Sequence, residues 1–207
     1  MIRRFTPLVA LLATSLAHGE APTDSEAARA ALQAKLAALP QFEAQFTQTV
    51  TDFDGTLLQE GEGQLAVAVP QRFSWHQMVP EESLILSDGE AVYVYDPMLE
   101  QVSIYALMEA TGQTPLSLLA SDDDAAWAQY QVSQSAQCYE LTPLEAQEIA
   151  RMTVCFEGER IDTLSLTDSQ SVTTTMALAQ FSAAPLAADR FQFTPPQGTL
   201  VDDQRTP

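Results

Sequence analysis

The 207-residue chain sets nine basic residues against 28 acidic ones, for a net charge of −19, and 46% of it is hydrophobic. So acidic a chain excludes a nucleic-acid binder, which needs a basic footprint for phosphates, and disfavours adsorption to anionic lipid. Two readings of the acidity stay open: solubility or a salty habitat, or a basic docking partner met through complementary fields.

In chain order, residues 1–19 read as a secretory leader: Arg3 and Arg4 form the charged start, Pro7 to Leu16 the apolar stretch, and Ala17-His18-Gly19 a small-x-small cleavage site, with a cut after Ala21 as the alternative. The apolar stretch is too short to span a bilayer, and no Cys follows it for lipidation. The expected mature product is exported and soluble, and losing the two leader arginines takes its charge from −19 to −21. Residues 20–207 are long enough for one domain with a substantial core.

Thr23 and Glu26 make a Thr-x-x-Glu capping box for a helix running to about Leu39, where Pro40 stops it. Leu32, Leu36 and Leu39 give it one narrow apolar stripe, suited to packing on a sheet. Strand patterns then take over. Phe42, Ala44, Phe46 and Val50 alternate with Glu43, Gln45, Thr47 and Thr49, and Asp54-Gly55 turns the chain. Leu57 to Val69 is a longer strand, in which Gly61 and Gly63 mark a bulge or strong twist. RFSWHQM, ESLILS, AVYVY and EQVSIY follow as short strands. Between Ala106 and Tyr130 the texture becomes helical, with Pro115 at a first helical position and Asp122 to Asp124 capping a second short helix. Strand signals return at YQVS, QCYELT, RMTVCF, DTLSLT, VTTTMALAQF and RFQFT. About eleven short strands, an N-terminal helix and short central helices predict an α+β, mainly β chain built on an antiparallel barrel or sandwich.

Cys138 and Cys155, the only cysteines, are expected to form a structural disulfide. Pairing Tyr139 with Val154 and Leu141 with Met152 sets the two sulfurs opposite each other, on the face away from those apolar groups.

Catalytic chemistry is sparse. With His18 in the leader, His76 is the one remaining histidine, too few for a multi-histidine zinc site, and no Gly-x-Ser-x-Gly elbow accompanies it. Asp122 to Asp124 lack the spaced ligands of a calcium loop, and phosphate-cradling glycine motifs are absent. The reading is therefore of a protein that is no enzyme and needs no cofactor or metal. What stands out is apolar: Phe46, Phe73, Trp75, Leu84, Leu86, Met176 and Leu178, with Phe73, Trp75, Leu84 and Leu86 placed where one sheet face could carry them. From the residues alone, ordinary core is favoured over a pocket wall.

The segments FEAQFTQTV (Phe42 to Val50), EGEGQL, FSWH, PEES to SDG, YDPMLEQV, ATGQTPL and FTPPQGTLVDDQR, taken in order, resemble the outer-membrane lipoprotein carrier (LolA) family over nearly the whole mature chain. The resemblance implies an incomplete antiparallel barrel with a helical lid over an apolar cavity. It also implies a periplasmic, monomeric carrier that takes acylated lipoproteins from an inner-membrane ABC transporter to an outer-membrane receptor. A lipoprotein-sensing or receptor-type module on the same fold is the alternative. By the resemblance, Phe73 and Trp75 line the cavity or its entrance, Leu116, Leu118 and Leu119 belong to the lid, and Leu32 and Leu36 face the cavity from the first helix. Where the family commonly has a lid-tying Arg this chain has Val69, so either Arg72 substitutes for it or the lid closes less firmly.

Overall fold

The computed structural model describes residues 25–107 and 115–205; the leader, the Thr23 cap and residues 108–114 lie outside it. The first described element is helix α1, Ser25–Ala37. Its expected end at Pro40 holds to within a turn, since Leu39 N–H closes back onto the Leu36 carbonyl at 2.8 Å.

Twelve strands form one sheet. In chain order they are β1 Gln41–Thr51, β2 Leu57–Ala68, β3 Arg72–Val79, β4 Ser83–Asp88, β5 Ala91–Asp96, β6 Gln101–Ala106, β7 Tyr130–Ser135, β8 Cys138–Pro143, β9 Ile149–Glu157, β10 Arg160–Asp168, β11 Thr173–Ser182 and β12 Leu200–Asp203. Their spatial order is β12-β6-β5-β4-β3-β2-β1-β11-β10-β9-β8-β7, so the two ends of the sheet do not pair and the barrel is unclosed. Every pairing is antiparallel except β12 on β6. The other elements among the described residues are the 3₁₀ turns η1, Pro115–Ala120, and η2, Ala188–Phe191, and the short helix α2, Asp124–Trp127.

Two strand expectations change. RFQFT is not a strand: Phe191 ends η2 buried against Ala66 and Ala68, and Phe193 packs its ring against Tyr93 and Tyr95 at 5.8 and 5.2 Å. Tilted ring packing on outward tyrosines takes the place of ladder pairing there. The strand comes later, at Leu200–Asp203, where the free edge of β6 offers unpaired backbone groups.

Helix α1 protects the opposite edge. The outward N–H of Val132 on β7 donates to Ser25 Oγ at 3.2 Å, and Arg29 Nη2 donates to the Tyr130 carbonyl at 2.9 Å. Held there, α1 buries Ala28, Leu32 and Leu36 against the sheet's inner face. Cys138 and Cys155 are bridged, in the register expected: Cys138 opposite Cys155, Tyr139 opposite Val154, Leu141 opposite Met152.

Candidate functional site

Strand parity assigns the two faces. On the inner face, Phe42, Ala44, Phe46 and Gln48 of β1 lie beside Val67, Leu65, Gly63 and Gly61 of β2. Next come Phe73, Trp75 and Gln77 of β3 and Ile85 of β4, while Met176 and Leu178 of β11 flank Gln48 and Phe46 on the other side. All the apolar members belong to one hydrophobic cluster with Leu32, Leu36, Leu118, Leu119 and Trp127.

The two glycines are there for space. A Cβ on Gly63 would lie 2.3 Å from Phe46 Cζ and 2.3 Å from the His76 carbonyl oxygen. One on Gly61 would lie 2.6 Å from the Val79 carbonyl oxygen and 2.9 Å from Gln48 Nε2. Their absence lets Phe46 and Gln48 lie flat across β2, with Phe46 stacked on Trp75 at 6.0 Å between centroids. The expected irregularity is also real: the β2–β3 register shifts between Glu62 and Gly63.

The inner face is covered by α1, η1 and α2. Asp123 caps α2, accepting from Ala125 N–H at 2.9 Å, which places the helix cap inside the Asp122 to Asp124 run. Leu118, Leu119 and Trp127 are buried beneath this cover, and Leu116 is half-buried against the same cluster. The cover is tied to the sheet through Gln71, whose N–H donates to the Ala120 carbonyl at 2.7 Å. The Gln71 carbonyl in turn accepts from Ser87 Oγ at 2.6 Å. Gln71 holds this position with φ of 58°, a left-handed conformation that strains any residue but glycine.

Among the described residues, three hollows lie under and beside the cover. One of about 290 Å³ is lined by Gln48, Trp75, Gln77, Ile85, Leu116, Leu166, Thr174 and Met176. A second, about 220 Å³, lies among Phe73, Leu107, Leu118, Ala126 and Tyr130. A third, about 300 Å³, has Leu36, Pro40, Val69, Leu119 and Trp127 on its walls. Each sits at or below the bottom of the range for small-molecule sites, about 300–1,000 Å³. Among the described residues, the apolar face is occupied mostly by the protein's own side chains.

Several sequence-based expectations move. Leu84 and Leu86 do not share a face with Phe73 and Trp75. Trp75 pairs with Ile85 and Phe73 with Ser87, so the two leucines point to the outer face, opposite Tyr95 and Tyr93. Ile85 takes the inner position. Arg72 lies on the outer face, its guanidinium 5.4 Å from the centre of the Phe191 ring and its Nη2 donating to the Val69 carbonyl at 3.5 Å, and among the described residues it makes no hydrogen bond to η1 or α2. Val69 stays at the cover's edge, on the wall of the third hollow. His76 also faces outward, 2.8 Å from Glu82 Oε1. Among the described residues no cluster of three or more His, Cys, Asp or Glu is placed to hold a metal.

Gln48 and Gln77 were missed, although parity with Phe46 and Trp75 marks both for the inner face. Gln48 is 4% exposed and its Nε2 donates to Gln77 Oε1 at 2.6 Å. Elsewhere the outer face has its own anchor in Asp88. Burial would raise its carboxyl, but the N–H groups of Ala91 and Glu90 and the Tyr93 hydroxyl outweigh that and hold it below the usual carboxylate range.

Comparison with known proteins adds the lineage. A family described as "Outer membrane lipoprotein carrier protein LolA" matches residues 37–194. The outer-membrane lipoprotein carrier protein of Shewanella loihica is 39% identical over 209 residues, covering 99% of this chain and 98% of that protein. The protein of the same description from Erwinia tasmaniensis is 38% identical over 176 residues, 84% of this chain and 87% of its own. Among solved structures, an uncharacterized conserved protein from Thermus thermophilus has the same fold, with a TM-score of 0.52 at 12% identity, covering 84% of this chain and 99% of that one.

Proposed function

We propose, from the premise that this chain belongs to the outer-membrane lipoprotein carrier (LolA) family, that it carries lipoproteins by sheltering their acyl chains against the inner face of its unclosed sheet. The observation that carries this reading is an apolar sheet face roofed by short elements, η1 and α2, instead of a second sheet. Leu116, Leu118, Leu119 and Trp127 dock onto Phe46, Phe73, Trp75, Met176 and Leu178, and acyl chains would replace them. Leu32 and Leu36 remain as a wall, anchored with α1 to the β7 edge.

Magnitudes constrain the mode of binding. Burying one methylene is worth about 0.8 kcal/mol, so three chains with about 45 methylenes between them would gain roughly 36 kcal/mol if wholly sheltered. Non-covalent affinity saturates near about 20 kcal/mol, and a carrier must also release. Shelter is therefore partial, and part of the gain is offset by lifting the roof from its own apolar contacts.

Delivery needs docking. The turns β1–β2, β3–β4, β5–β6, β8–β9 and β10–β11 all fall on one rim of the antiparallel sheet. That rim exposes Phe53, Met98, Leu99 and Leu144 among Asp52, Asp54, Glu81, Glu82, Glu100, Glu145 and Glu148, and its turns carry no Lys or Arg. Such a surface suits partners that offer apolar contacts within a basic surround. In this reading the donor is an inner-membrane ABC transporter, the acceptor an outer-membrane receptor, and residues 1–19 send the single-domain chain to the periplasm as a monomer without enzymatic activity. The described residues contain no helix long and apolar enough to cross a membrane.

Native mass spectrometry after co-expression with a triacylated lipoprotein tests the reading. A one-to-one complex is expected, and Phe73→Glu, which sets a carboxylate beneath the roof, is expected to abolish it. A complex of undiminished occupancy with Phe73→Glu would overturn the site.

A further inference from the structure

The hollow under Leu116 is apolar on most of its wall, and two of the side chains that line it, Gln48 and Trp75, each bury a polar atom with no hydrogen-bond partner among the described residues: Gln48 Oε1 and Trp75 Nε1. Neither is an accident of amide orientation. The Glu81 carbonyl can only accept, so Gln77 presents Nε2 to it, at 3.0 Å. Gln77 Oε1 is thereby turned toward Gln48 and accepts from its Nε2 at 2.6 Å. The chain of bonds fixes Gln48 with its carbonyl oxygen as the bare end. Gly61 makes the arrangement possible, because a Cβ there would meet Gln48 Nε2 at 2.9 Å and Cγ at 3.0 Å. The indole N–H of Trp75, whose ring is held in place by its stack on Phe46, adds one donor.

Leaving buried polar groups unmatched is unfavourable, so a bare acceptor and a bare donor on side chains lining one apolar hollow describe the complement of a ligand that reaches them as the roof lifts. That ligand must offer one hydrogen-bond donor and one acceptor, with alkyl groups around them to suit Ile85, Leu116, Leu166 and Met176. An ester offers acceptors only and an ammonium group donors only, whereas a secondary amide offers one of each. We infer that this polar spot binds the secondary amide joining an acyl chain to its cargo, with the amide C=O accepting from Trp75 Nε1 and the amide N–H donating to Gln48 Oε1. The inference rests on the carrier reading and deepens it: the cavity registers how a chain is linked as well as that it is greasy. A peptide-backbone amide is the poorer fit, since its neighbouring amides would enter the apolar wall without partners.

The test compares N-methyldodecanamide with methyl dodecanoate, measured by displacement of a fluorescent apolar probe from the purified protein. The quantity read is the amide-to-ester ratio of affinities, taken in the wild type and again in Gln48→Met; dividing one ratio by the other cancels the difference in hydration between the two ligands. One hydrogen bond to a buried acceptor corresponds to roughly a tenfold fall in that ratio. Trp75→Phe is expected to weaken both ligands by a similar factor and leave the ratio alone, since both carbonyls accept from the indole. If Gln48→Met fails to fold, Gln48→Met with Gln77→Leu removes the polar pair together and carries the same expectation. An unchanged ratio in the Gln48 variants, with both ligands bound, overturns the amide site and leaves the carrier reading standing; the bare atoms are then served by solvent. If neither ligand displaces the probe from the wild type, the carrier reading itself fails.

Discussion

Replacing Gly63 by alanine adds one methyl group at the most crowded point of the inner face. The new carbon would stand 2.3 Å from Phe46 Cζ, 2.8 Å from Phe46 Cε1 and 2.3 Å from the His76 carbonyl oxygen. Neither neighbour yields freely: the oxygen is backbone within the β2–β3 ladder, and the Phe46 ring is buried and stacked on Trp75. Overpacking of this kind destabilises by about 1–3 kcal/mol, which for a domain of this length lowers the melting temperature by roughly 2–12 °C. Thermal melts followed by near-ultraviolet circular dichroism read both the shift and the change around Trp75. A double-mutant cycle with Phe46→Leu isolates the contact, and a coupling above about 0.5 kcal/mol is expected because shortening the ring relieves part of the clash. A Gly63→Ala protein that melts within a degree of wild type, with an unaltered tryptophan signal, would refute the close packing on which the site's shape depends.

Two further outcomes follow from the structure. Converting Cys138 and Cys155 to serine opens a bridge with a sequence separation of 17 and is expected to lower stability by about 2–4 kcal/mol in urea titrations; a loss under 1 kcal/mol would show the hairpin register holding without it. Asp88→Asn removes a carboxylate whose folded-state pKa is depressed, so its contribution is present above the unfolded carboxylate value and fades as pH falls through the folded one. The stability gap between wild type and Asp88→Asn should therefore be widest near neutral pH and shrink below about pH 4; a gap that widens with acid would reverse the sign argued here.

How much of this was legible in the sequence depended on whether a strand alternates. In β1 the two-residue period placed Phe42, Ala44 and Phe46 correctly, and the cysteine hairpin gave its register residue by residue. In β4 the run Leu84-Ile85-Leu86 is apolar at three successive positions, so periodicity cannot choose a face; the choice is made by the ladder that sets Ile85 opposite Trp75. Arg72 was assignable by parity, since it precedes Phe73 in a strand and must point away from it. Gln48 carries no hydrophobic signal of its own, and its burial depends on two partners distant in the chain, Gln77 and the space over Gly61. The β12 strand was hidden for a similar reason, its backbone partners on β6 being far away in sequence. The roof's tie was invisible too, because it runs through the main chain of Gln71 and Ala120 and leaves no side-chain signature.

The account stands or falls on whether the roof must lift. Both native cysteines are bridged, so Gln71→Cys with Ala120→Cys introduces the only free thiols, at two residues already joined by a 2.7 Å backbone hydrogen bond. Closing them with a short bis-maleimide and measuring uptake of a triacylated lipoprotein is the most direct measurement. Crosslinked protein is expected to take up none, while the same variant left uncrosslinked loads as wild type does. Equal loading by the locked protein would contradict the claim that cargo enters by displacing η1 and α2 from the sheet.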